Sequence, residues 1–493
     1  MTDSLKPISY AIIRGKIHHD NLVSFGGRGG DLEFYAPDPQ TIIDELPIRS
    51  PSDMADMYEL SLDDVIDYLE ELGTHLDFRT NDYLREAAEY SYQTAPTTPP
   101  IIDGFYATLP LMFNRERILQ WVDNSVGREY LEGWVEKRIN GSDFNVRAYG
   151  SRALHIVAGN GPTLGALTVL RGAVTRSDTV IKVPSNDPFT TGAIVRTMVD
   201  VAPDHPITKH VSVAYWRGGD EAFEKKLYQP HNLEKIVAWG GFSSVKHVTK
   251  YIQPGLELIS LDPKHSASFV GEGGLESEEQ IIEVGKRIAC DVGVGNQVGC
   301  ANCRTVYVMG GESDEAIERL VKLGHAVYDG MLGLPEDMST RPKRYDPELK
   351  SHVDACRLSD DFYEVIGGQQ GEGAVIVSKT SDPVDFSAYL ADRTVNLVPI
   401  DTLEDFLDAV DCSTQTVGVY PPQWVDEVRH KGALHGGQRF VELGYNLNGP
   451  GLIGPQDGIE PVRRMVKWII NEKPTAAMTP MWEFKPGETH LVA

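Results

Sequence analysis

ALHIVAGNGPTLGALTVL, at residues 153–170, contains a strand, a turn and a helix in direct succession. The apolar run that opens it is typical of a buried strand, and the later apolar residues have helical spacing. The turn between them has the pattern GxGxxxG, which lets backbone N–H groups approach a ligand. Its spacing differs from the GxGxxG of dinucleotide-binding turns. The glycines are therefore equally well explained by a tight strand-to-helix connection that binds no ligand.

Asn160 lies inside this turn. A side-chain amide at that position could donate a hydrogen bond to an oxyanion that develops during a reaction. It could instead cap the helix or tolerate a left-handed turn. The residues alone leave both roles open.

The alternation of strand and helix continues after this stretch. Helices are predicted at 165–174 and 189–202, and strands at 179–184, 211–216, 235–240 and 257–262. The strands contain few polar residues, which predicts a parallel sheet covered by helices on both faces. Such a doubly wound α/β unit binds ligands at the carboxyl ends of its strands.

A second α/β series begins near residue 266. Its predicted strands are at 266–271, 304–310, 373–379, 396–401 and 416–421, and its predicted helices are at 277–293, 313–331 and 403–411. Two such units in tandem suggest a cleft between them, where enzymes with two substrates commonly have their site. Before both units, apolar spacing predicts a helix at 61–76 and one or two helices over 115–138.

The composition restricts the classes of function. The chain has 493 residues, with 46 Lys and Arg against 72 Asp and Glu, and a formal net charge of −26. Binding to nucleic acid or to an anionic membrane needs a basic surface, so this acidity argues against both. No apolar run is long enough to span a bilayer, and the first residues lack the apolar core of a signal peptide. The 5 cysteines are few and odd in number, which indicates a reducing, cytoplasmic location.

Two of the cysteines, Cys300 and Cys303, form a CxxC pattern within NQVGCANCRTVYV (296–308). A zinc site needs a second ligand pair at matching spacing, which this sequence lacks, so no metal is expected. A redox dithiol normally opens a helix, whereas a strand is predicted to follow here. Two interpretations remain: buried inert thiols, or a nucleophilic thiol on a loop between the domains, with Arg304 nearby to favour the thiolate.

Lys182 ends a predicted strand. A lysine there can reach a ribose or a phosphate, or it can simply extend into solvent. A second glycine turn, VAWGGFSS (237–244), again joins a strand to a helix. Such a turn can admit a pyrophosphate at the helix N-terminus. Each of these signals is weak alone, and their order along the chain makes them informative.

The order of VAGNGP, VIKVPSNDPFT, VAWGGFSS, LDPKHS and NQVGCANCR resembles the aldehyde dehydrogenase superfamily. Within it, the chain is most similar to the bacterial long-chain acyl-CoA reductases, the luciferase-type fatty acid reductases that supply aldehyde to bacterial luciferase. Two later segments, at 392–410 and 436–469, resemble the C-terminal pattern of that family. The resemblance covers roughly residues 100–470.

The resemblance implies an aldehyde-dehydrogenase-like α/β fold. The parts that it implies are an N-terminal α+β extension of the cofactor domain (1–110), a Rossmann-like NADP-binding domain (111–265), a catalytic domain with the nucleophilic cysteine (266–435) and a C-terminal segment that packs back or oligomerises (436–493).

Carried over by position, Cys300 matches the catalytic thiol, which the family places after an Asn–Gln pair, here Asn296 and Gln297. Cys303 falls where the family requires no cysteine. Asn160 matches the asparagine whose amide, together with the backbone N–H of Cys300, forms the oxyanion hole.

The same comparison implies a set of cofactor-binding positions. They are Lys182 at the ribose and, toward the pyrophosphate, Gly240, Gly241, Phe242 and Ser243. Ser185 stands where many NAD-dependent relatives carry a glutamate that binds the ribose 2′-OH. A glutamate would repel a 2′-phosphate, whereas serine can accept one, so NADPH is favoured over NADH.

The chain also departs from the superfamily pattern. Asp262 stands near the place of the glutamate that activates water in hydrolytic members, but it is shorter and is not assigned that role. The RTVN segment (393–396) lacks the glutamate that typically holds the nicotinamide ribose. Both departures fit a reductive acyl-transfer enzyme, which needs no deacylating water. Lys264 and His265 could assist the thiol, with a solvated polar loop as the alternative.

We therefore expect NADPH-dependent reduction of a long-chain fatty acyl-CoA to the aldehyde through a thioester on Cys300. The alternatives are an NAD(P)-dependent aldehyde dehydrogenase, hydrolytic or CoA-acylating, and a non-catalytic binding or scaffold homologue. The resemblance also implies a homo-oligomer, either a dimer or a tetramer, formed through the C-terminal segment. In luciferase systems it further implies a fatty-acid-activating protein as partner.

Overall fold

The computed structural model describes residues 7–26, 32–139, 142–448, 454–474, 480–485 and 487. The first part of the chain combines short strands with a group of helices. These elements are β1 (Ala11–Ile13), β2 (Lys16–His18), β3 (Leu22–Gly26), β4 (Glu33–Pro37), α1 (Pro39–Ile42), α2 (Leu62–Thr74), α3 (Asp82–Thr94), α4 (Pro99–Met112), α5 (Arg115–Ser125), α6 (Arg128–Glu132), β5 (Val135–Ile139) and β6 (Ser142–Tyr149).

The prediction of helix through residue 138 was wrong at its C-terminal end. Helix α6 ends at Gly133, whose backbone is fully extended, and the chain then continues as strand β5. β5 pairs with β6 in antiparallel register, so backbone hydrogen bonds across a hairpin replace those of a helix.

The middle of the chain alternates strand and helix as predicted. Its elements are β7 (Arg152–Ile156), α7 (Thr163–Val174), β8 (Asp178–Lys182), α8 (Thr190–Val201), α9 (Pro206–Lys209), β9 (Val211–Ala214), α10 (Glu221–Leu227), β10 (Lys235–Trp239), α11 (Phe242–Thr249) and β11 (Glu257–Leu261). They form a sheet of order β11-β10-β7-β8-β9-β1-β2, in which the pairs from β11 to β9 are parallel. Strands β1 and β2 extend it in antiparallel fashion.

Helices cover both faces of this first sheet. Leu170 of α7 and Ile194 of α8 share one apolar core with Leu69 of α2, so the N-terminal helices belong to the same layer. The other face is covered by α10 and α11. The chain runs outward from β7 to β9 and then returns to β10, which places a crevice over the carboxyl ends of β7 and β10. Ligands of doubly wound sheets bind at such a reversal of strand order.

A second sheet follows. Its elements are β12 (His265–Val270), α12 (Glu278–Gly293), β13 (Cys303–Met309), α13 (Asp314–Leu332), α14 (Pro347–Arg357), β14 (Tyr363–Gly367), β15 (Ala374–Ser378), β16 (Thr394–Ile400), α15 (Leu403–Asp408), β17 (Thr414–Tyr420), α16 (Val425–His435) and β18 (Arg439–Glu442). The strand order is β14-β15-β16-β13-β12-β17-β18, and every neighbouring pair except β14–β15 is parallel.

Helix α12, which leads to the cysteine loop, begins with a capping box. The Ser277 hydroxyl accepts from the backbone N–H of Gln280 at 3.2 Å, and the Gln280 side chain accepts from the N–H of Ser277 at 3.1 Å. This exchange satisfies two N–H groups that the helix cannot pair itself. It fixes where α12 starts, and therefore where the loop after its last residue begins.

The described part of residues 436–493, the segment expected to pack back or to oligomerise, contributes strands to two sheets. Strand β18 forms the edge of the second sheet. After α17 (Pro461–Met465), strand β19 (Lys467–Glu472) pairs with β6 in a three-stranded sheet of order β19-β6-β5. Between these strands, Gln456 accepts a hydrogen bond from Arg171 of α7, and Asp457 accepts one from Gln415 of β17.

Candidate active site

The cysteine loop lies between α12 and β13, at the amino ends of the second sheet's strands. Its approach has a left-handed backbone, with φ of 66° at Gly295, 54° at Asn296 and 65° at Gln297. Such values are unfavourable for residues other than glycine and persist only where surrounding contacts impose them. Strain of this kind concentrates at functional sites.

Side-chain amides impose this conformation. Gln297 donates to the carbonyls of Cys303 at 2.8 Å and Thr394 at 2.9 Å, and it accepts from the N–H of Thr394 at 2.9 Å. Asn302 accepts from the N–H of Gly299 at 2.9 Å and donates back to the end of α12. Gln297 and Asn302 therefore fix the loop, while Asn296 accepts from the backbone N–H of Thr340 at 3.0 Å.

Cys300 is half-buried at the tip of this loop. Its sulfur accepts a hydrogen bond from Gln415 Nε2 at 3.1 Å, and its carbonyl accepts from the Ser266 hydroxyl at 2.8 Å. Burial raises the pKa of the Cys300 thiol, and the nearby Asp457 carboxylate raises it further, against the lowering effect of Gln415. The expectation that the surroundings favour the thiolate is thus wrong for this arrangement.

Cys303 has a different environment. It is fully buried at the start of β13, where Ser268 Oγ lies 3.3 Å from its sulfur and the thiol faces the carbonyl of Thr305 at 3.3 Å. Burial raises the pKa of Cys303 to about 12. This thiol has the properties of a small core side chain, as the first interpretation of the CxxC pattern describes.

Asn160 joins the two sheets. Its Nδ2 donates to the carbonyl of Val298, two residues before Cys300, at 3.1 Å. Its Oδ1 is buried and has no hydrogen-bond partner among the described residues. The turn after β7 therefore reaches the cysteine loop of the second sheet, and an amide donor and the thiol come to one place.

The three glycines of that turn have different environments. A Cβ at Gly159 would lie 1.7 Å from Asn186 Oδ1, and one at Gly165 would lie 2.2 Å from Thr191 Oγ1, so close packing requires both glycines. At Gly161 the nearest atom would be 3.8 Å away. The GxGxxxG pattern thus combines two packing positions with one that is open toward the crevice.

Lys182 lies at the carboxyl end of β8. Its Nζ is 5.9 Å from the ring centre of Tyr215 and 5.7 Å from that of Trp216, and it makes no hydrogen bond or salt bridge with the described residues. Burial lowers the pKa of Lys182 to about 8, although the Glu224 carboxylate acts in the opposite direction. A desolvated ammonium without an ion-pair partner is suited to an anionic or hydroxyl-rich ligand.

The other predicted cofactor positions lie along the same edge. Ser185 is half-buried just after β8, and its neighbour Asn186 donates to the carbonyl of Gly159 at 2.6 Å, which ties this segment to the turn after β7. The positions after β10 are Gly240, Gly241, Phe242 and Ser243; a Cβ at Gly241 would meet no atom within 4 Å. Helix α11 begins there with free backbone N–H groups.

Comparison with known proteins now gives a family. The model for acyl-CoA reductase (LuxC) matches residues 57–468. The chain belongs to this family. It is 25% identical over 487 residues to the long-chain acyl-protein thioester reductase of Photorhabdus laumondii, covering 95% of this chain and 94% of that protein. It is 24% identical to the enzyme of the same name from Aliivibrio fischeri, covering 94% and 91%.

Solved structures confirm the aldehyde-dehydrogenase-like α/β fold. The NADP-dependent glyceraldehyde-3-phosphate dehydrogenase of Bacillus halodurans, solved with NADP, superposes with a TM-score of 0.70 at 11% identity over 95% of this chain and 99% of that one. The aldehyde dehydrogenase of Mycobacterium tuberculosis, solved with NAD+, gives 0.67 at 11% identity over 97% and 100%. The family match confirms the relationship to the acyl-CoA reductases, so the chain is an acyl-reducing oxidoreductase with an aldehyde-dehydrogenase-like fold.

Asp262, Lys264 and Arg304 have hydrogen-bond partners other than the Cys300 sulfur. Asp262 is exposed and accepts a hydrogen bond from Ser260. Lys264 donates to the carbonyl of Cys412 at 2.8 Å, and burial lowers the pKa of His265. Arg304 donates to the carbonyl of Ala388, so its guanidinium has another partner than the sulfur.

Three residues near the site were missed from the sequence. Gln415 donates to both the Cys300 sulfur and Asp457. Arg217 follows β9 at the cofactor edge and is exposed, and its side chain makes no hydrogen bond or salt bridge with the described residues. Arg217 could have been found, because it follows the predicted strand VSVAYW. Gln415 and Asp457 carried no signal, since neither belongs to a motif with known spacing.

The described ranges contain no group of three or more His, Cys, Asp and Glu side chains placed to hold a metal ion. No helix in the described part of the chain is long and apolar enough to cross a bilayer.

Proposed function

We propose that this protein reduces a long-chain fatty acyl thioester to the aldehyde, with NADPH as the hydride donor and Cys300 as the nucleophile. The observation that supports this most is the hydrogen bond from Asn160 to the carbonyl of Val298, because it brings the cofactor edge of the first sheet to the cysteine loop of the second. The family description and the names of the relatives are consistent with an acyl thioester as substrate.

The chemistry begins at the sulfur. Cys300 attacks the carbonyl carbon of the acyl thioester, a C–S bond forms, and the donor thiol leaves, so that the acyl group is held as a thioester on the protein. The Asn160 amide and the backbone N–H of Cys300 stabilise the oxyanion of the tetrahedral intermediate. One such donor contributes about 3–4 kcal/mol in comparable sites.

The residues of the first sheet fit a nicotinamide cofactor. Lys182 presents a desolvated ammonium, Gly161 and Gly241 leave room for close approach of a ligand to the backbone, and α11 offers free N–H groups to a pyrophosphate. When bound, NADPH would supply the hydride that takes the acyl group to the aldehyde. Ser185 and the unpaired Arg217 favour a cofactor with a 2′-phosphate.

The position of Asp262 supports reduction over hydrolysis. Its carboxylate is exposed and bonded to Ser260, so it is poorly placed to activate water at an acyl group held on Cys300. An acyl-enzyme that lacks a base at the position of Asp262 persists long enough to be reduced. This argument favours an acyl reductase over a hydrolytic aldehyde dehydrogenase on the same fold.

Self-association is part of the proposal. The sheet β19-β6-β5 exposes Ile139, Ile469 and Ile470 at 60%, 41% and 53% of their surface. Apolar side chains grouped on an outer sheet are typical of an interface. We expect a dimer or tetramer through this sheet, which light scattering after size-exclusion chromatography measures directly.

The test of function is product analysis. The protein is incubated with NADPH and either a long-chain acyl-CoA or the same acyl group on a protein thiol, and the lipid product is identified. Formation of aldehyde with stoichiometric oxidation of NADPH is expected from at least one donor. Free fatty acid as the main product would show hydrolysis, and no product from either donor would contradict the proposal.

A further inference from the structure

Because the pKa of the Cys300 thiol is raised, its attack on the substrate requires a group that accepts the thiol proton. If Cys300 is protonated at neutral pH, a group must take its proton when the sulfur attacks. The charged groups that act on Cys300 in the described structure are Asp457, Arg304 and Arg439. Guanidinium groups stay protonated at neutral pH, so only the Asp457 carboxylate can accept a proton.

Gln415 holds this carboxylate beside the thiol. The nitrogen Nε2 of Gln415 lies 3.1 Å from the Cys300 sulfur and also donates to Asp457 Oδ1. A carboxylate can only accept hydrogen bonds, so the amide end that meets it must be the nitrogen. Two groups bonded to one nitrogen are close enough for proton exchange through a single water or a small side-chain rotation.

The second oxygen of this carboxylate is free. Asp457 Oδ2 is buried and has no hydrogen-bond partner among the described residues. A buried carboxylate oxygen without a donor is costly, and such an atom in a native structure calls for a functional explanation. It leaves one oxygen of Asp457 ready to take up a proton.

The backbone around Asp457 holds it in this position. Its φ is 53°, in the left-handed region, within a tight turn closed by backbone bonds between Gln456 and Ile459. The Gln456 side chain accepts from the buried Arg171 at 2.9 Å. Asp457 and Gly458 both have positive φ, and Asp–Gly is a preferred pair for such a turn, so the turn fixes where the carboxylate lies.

Other charged groups face Asp457. Lys264 and Arg171 lower its pKa, Asp262 raises it, and burial raises it most, so its pKa lies above the usual range of an aspartate. A carboxylate whose pKa is moved toward that of its proton donor is a better acid and base at neutral pH. The electrostatics therefore agree with the geometry.

We propose that Asp457 is the acid–base partner of Cys300. The inference rests on the proposed acyl transfer. As the sulfur attacks, its proton passes to the Asp457 carboxylate and the C–S bond to the acyl carbon forms. When the tetrahedral intermediate collapses, the bond to the donor sulfur breaks and the proton passes from Asp457 to the leaving thiolate, so a neutral thiol departs and the carboxylate is restored. The hydrogen bonds of Gln415 hold the Cys300 thiol and the Asp457 carboxylate next to each other.

The first measurement needs no substrate. Cys300 of the full-length protein is alkylated with iodoacetamide from about pH 6 to about pH 10 and quantified by peptide mass spectrometry, with the exposed Cys412 as internal reference. Asp457→Asn removes a negative charge near the sulfur, so the pH midpoint of Cys300 alkylation is expected to fall by about one unit. Alkylation at neutral pH then becomes faster.

The second measurement follows acyl transfer alone. Transfer of an acyl group from a long-chain acyl-CoA or acyl-protein donor to Cys300 is timed by intact mass, without cofactor. Asp457→Asn is expected to slow it by about 100-fold, although its thiol is more reactive, because the leaving thiolate has lost its acid. Asp457→Glu keeps a carboxyl group and is expected to recover most of the rate.

Asp262→Asn is the matched control, because it removes an exposed carboxylate that also faces Asp457. It should leave both rates within about twofold of wild type, since exposed charges are screened. Asp457→Ser gives the same readouts should D457N fail to fold.

Faster alkylation of Cys300 together with slower acyl transfer in Asp457→Asn supports the inference. A D457N protein that acylates at the wild-type rate, or that loses both reactions in parallel without a shift in midpoint, overturns it. Wild-type protein that accepts no acyl group contradicts the proposed function itself, and that result is seen before any variant is compared.

Discussion

The two sheets contribute to the site in opposite ways. The first sheet presents the carboxyl ends of its strands, where Lys182 and the glycine turns form an open edge. The second sheet presents the amino ends of its strands, where Cys300 lies on a loop that precedes β13. Ligands of parallel sheets generally bind at the carboxyl ends of the strands. The first sheet follows this rule, whereas the cysteine of the second sheet lies at the amino ends.

The difference shows how each edge is held. The first edge depends on backbone geometry, because strand ends and glycine turns place its groups. The cysteine loop depends on the side-chain amides of Gln297 and Asn302, which impose a left-handed backbone, and on a shift of register in β12 at Ser266. Substitutions in the cysteine loop should therefore change the rate of acyl transfer, and substitutions at the edge of the first sheet should change the affinity for the cofactor.

The largest effect is expected at the thiol. Cys300→Ser should lower acyl reduction by about 10⁴-fold or more, since the hydroxyl is a far weaker nucleophile. Cys303→Ser is the matched control on the same loop, and it should keep turnover within about threefold because that thiol is buried and inert. NADPH consumption with an acyl-CoA measures both; equal losses in the two variants would break the distinction between these cysteines.

Asn160→Ala tests the bridge between the sheets. Loss of one oxyanion donor should lower the rate of acyl transfer by about 10²- to 10³-fold. Binding of NADPH should change little, because the amide faces the cysteine loop and not Lys182. Single-turnover acylation and a fluorescence titration separate the two effects. A variant with normal acylation would remove Asn160 from the chemistry.

Arg217→Ala addresses the cofactor edge alone. Loss of a charge-assisted contact to the 2′-phosphate should weaken NADPH binding about tenfold and leave NADH binding unchanged. Lys209→Ala removes a half-buried cation that pairs with Asp204 before β9, at the opposite end of that strand, and serves as control. Calorimetric titration with NADPH, NADH and 2′,5′-ADP measures the effect, and equal weakening of NADPH and NADH would contradict the assignment.

The smallest effect is expected with pH. The pKa of Lys182 is about 8, so its ammonium is charged below that pH and loses its proton above it. The affinity for NADPH should therefore fall several-fold as the pH rises through about 8 to about 10. Lys182→Arg stays charged and should give a flat profile over this range. The same decline in the arginine variant would assign the pH dependence to another group.

The sequence was sufficient for elements that depend on local pattern. Apolar runs and helical spacing located most strands of both series and their longest helices, and glycine turns marked the carboxyl edge of the first sheet. They did not locate α10, α14, α16, β14 or β18. The strand at Val135–Ile139 was missed because its partners in β6 and β19 are defined only by tertiary pairing. Residues 449–453, part of the segment that resembles the family's tail, lie outside the described residues.

The immediate surroundings of the thiol could not be predicted. Gln415 begins a strand more than 100 residues after Cys300, and Asp457 lies in a turn after the second sheet, so no spacing connects them. The pKa of Cys300 depends on burial, which a sequence does not show. The thiolate was expected on general chemical grounds, whereas burial and the nearby Asp457 carboxylate raise the pKa of Cys300.

The acyl-enzyme is the most direct test of the account. The protein is mixed with a long-chain acyl-CoA or acyl-protein thioester in the absence of cofactor, digested, and searched by mass spectrometry for an acyl group on the peptide that contains Cys300. We predict a stoichiometric adduct at this cysteine, which disappears on addition of NADPH as aldehyde forms. An acyl group on another cysteine, or an adduct at Cys300 that persists with NADPH while aldehyde still forms, would contradict the claim that this thiol carries the substrate.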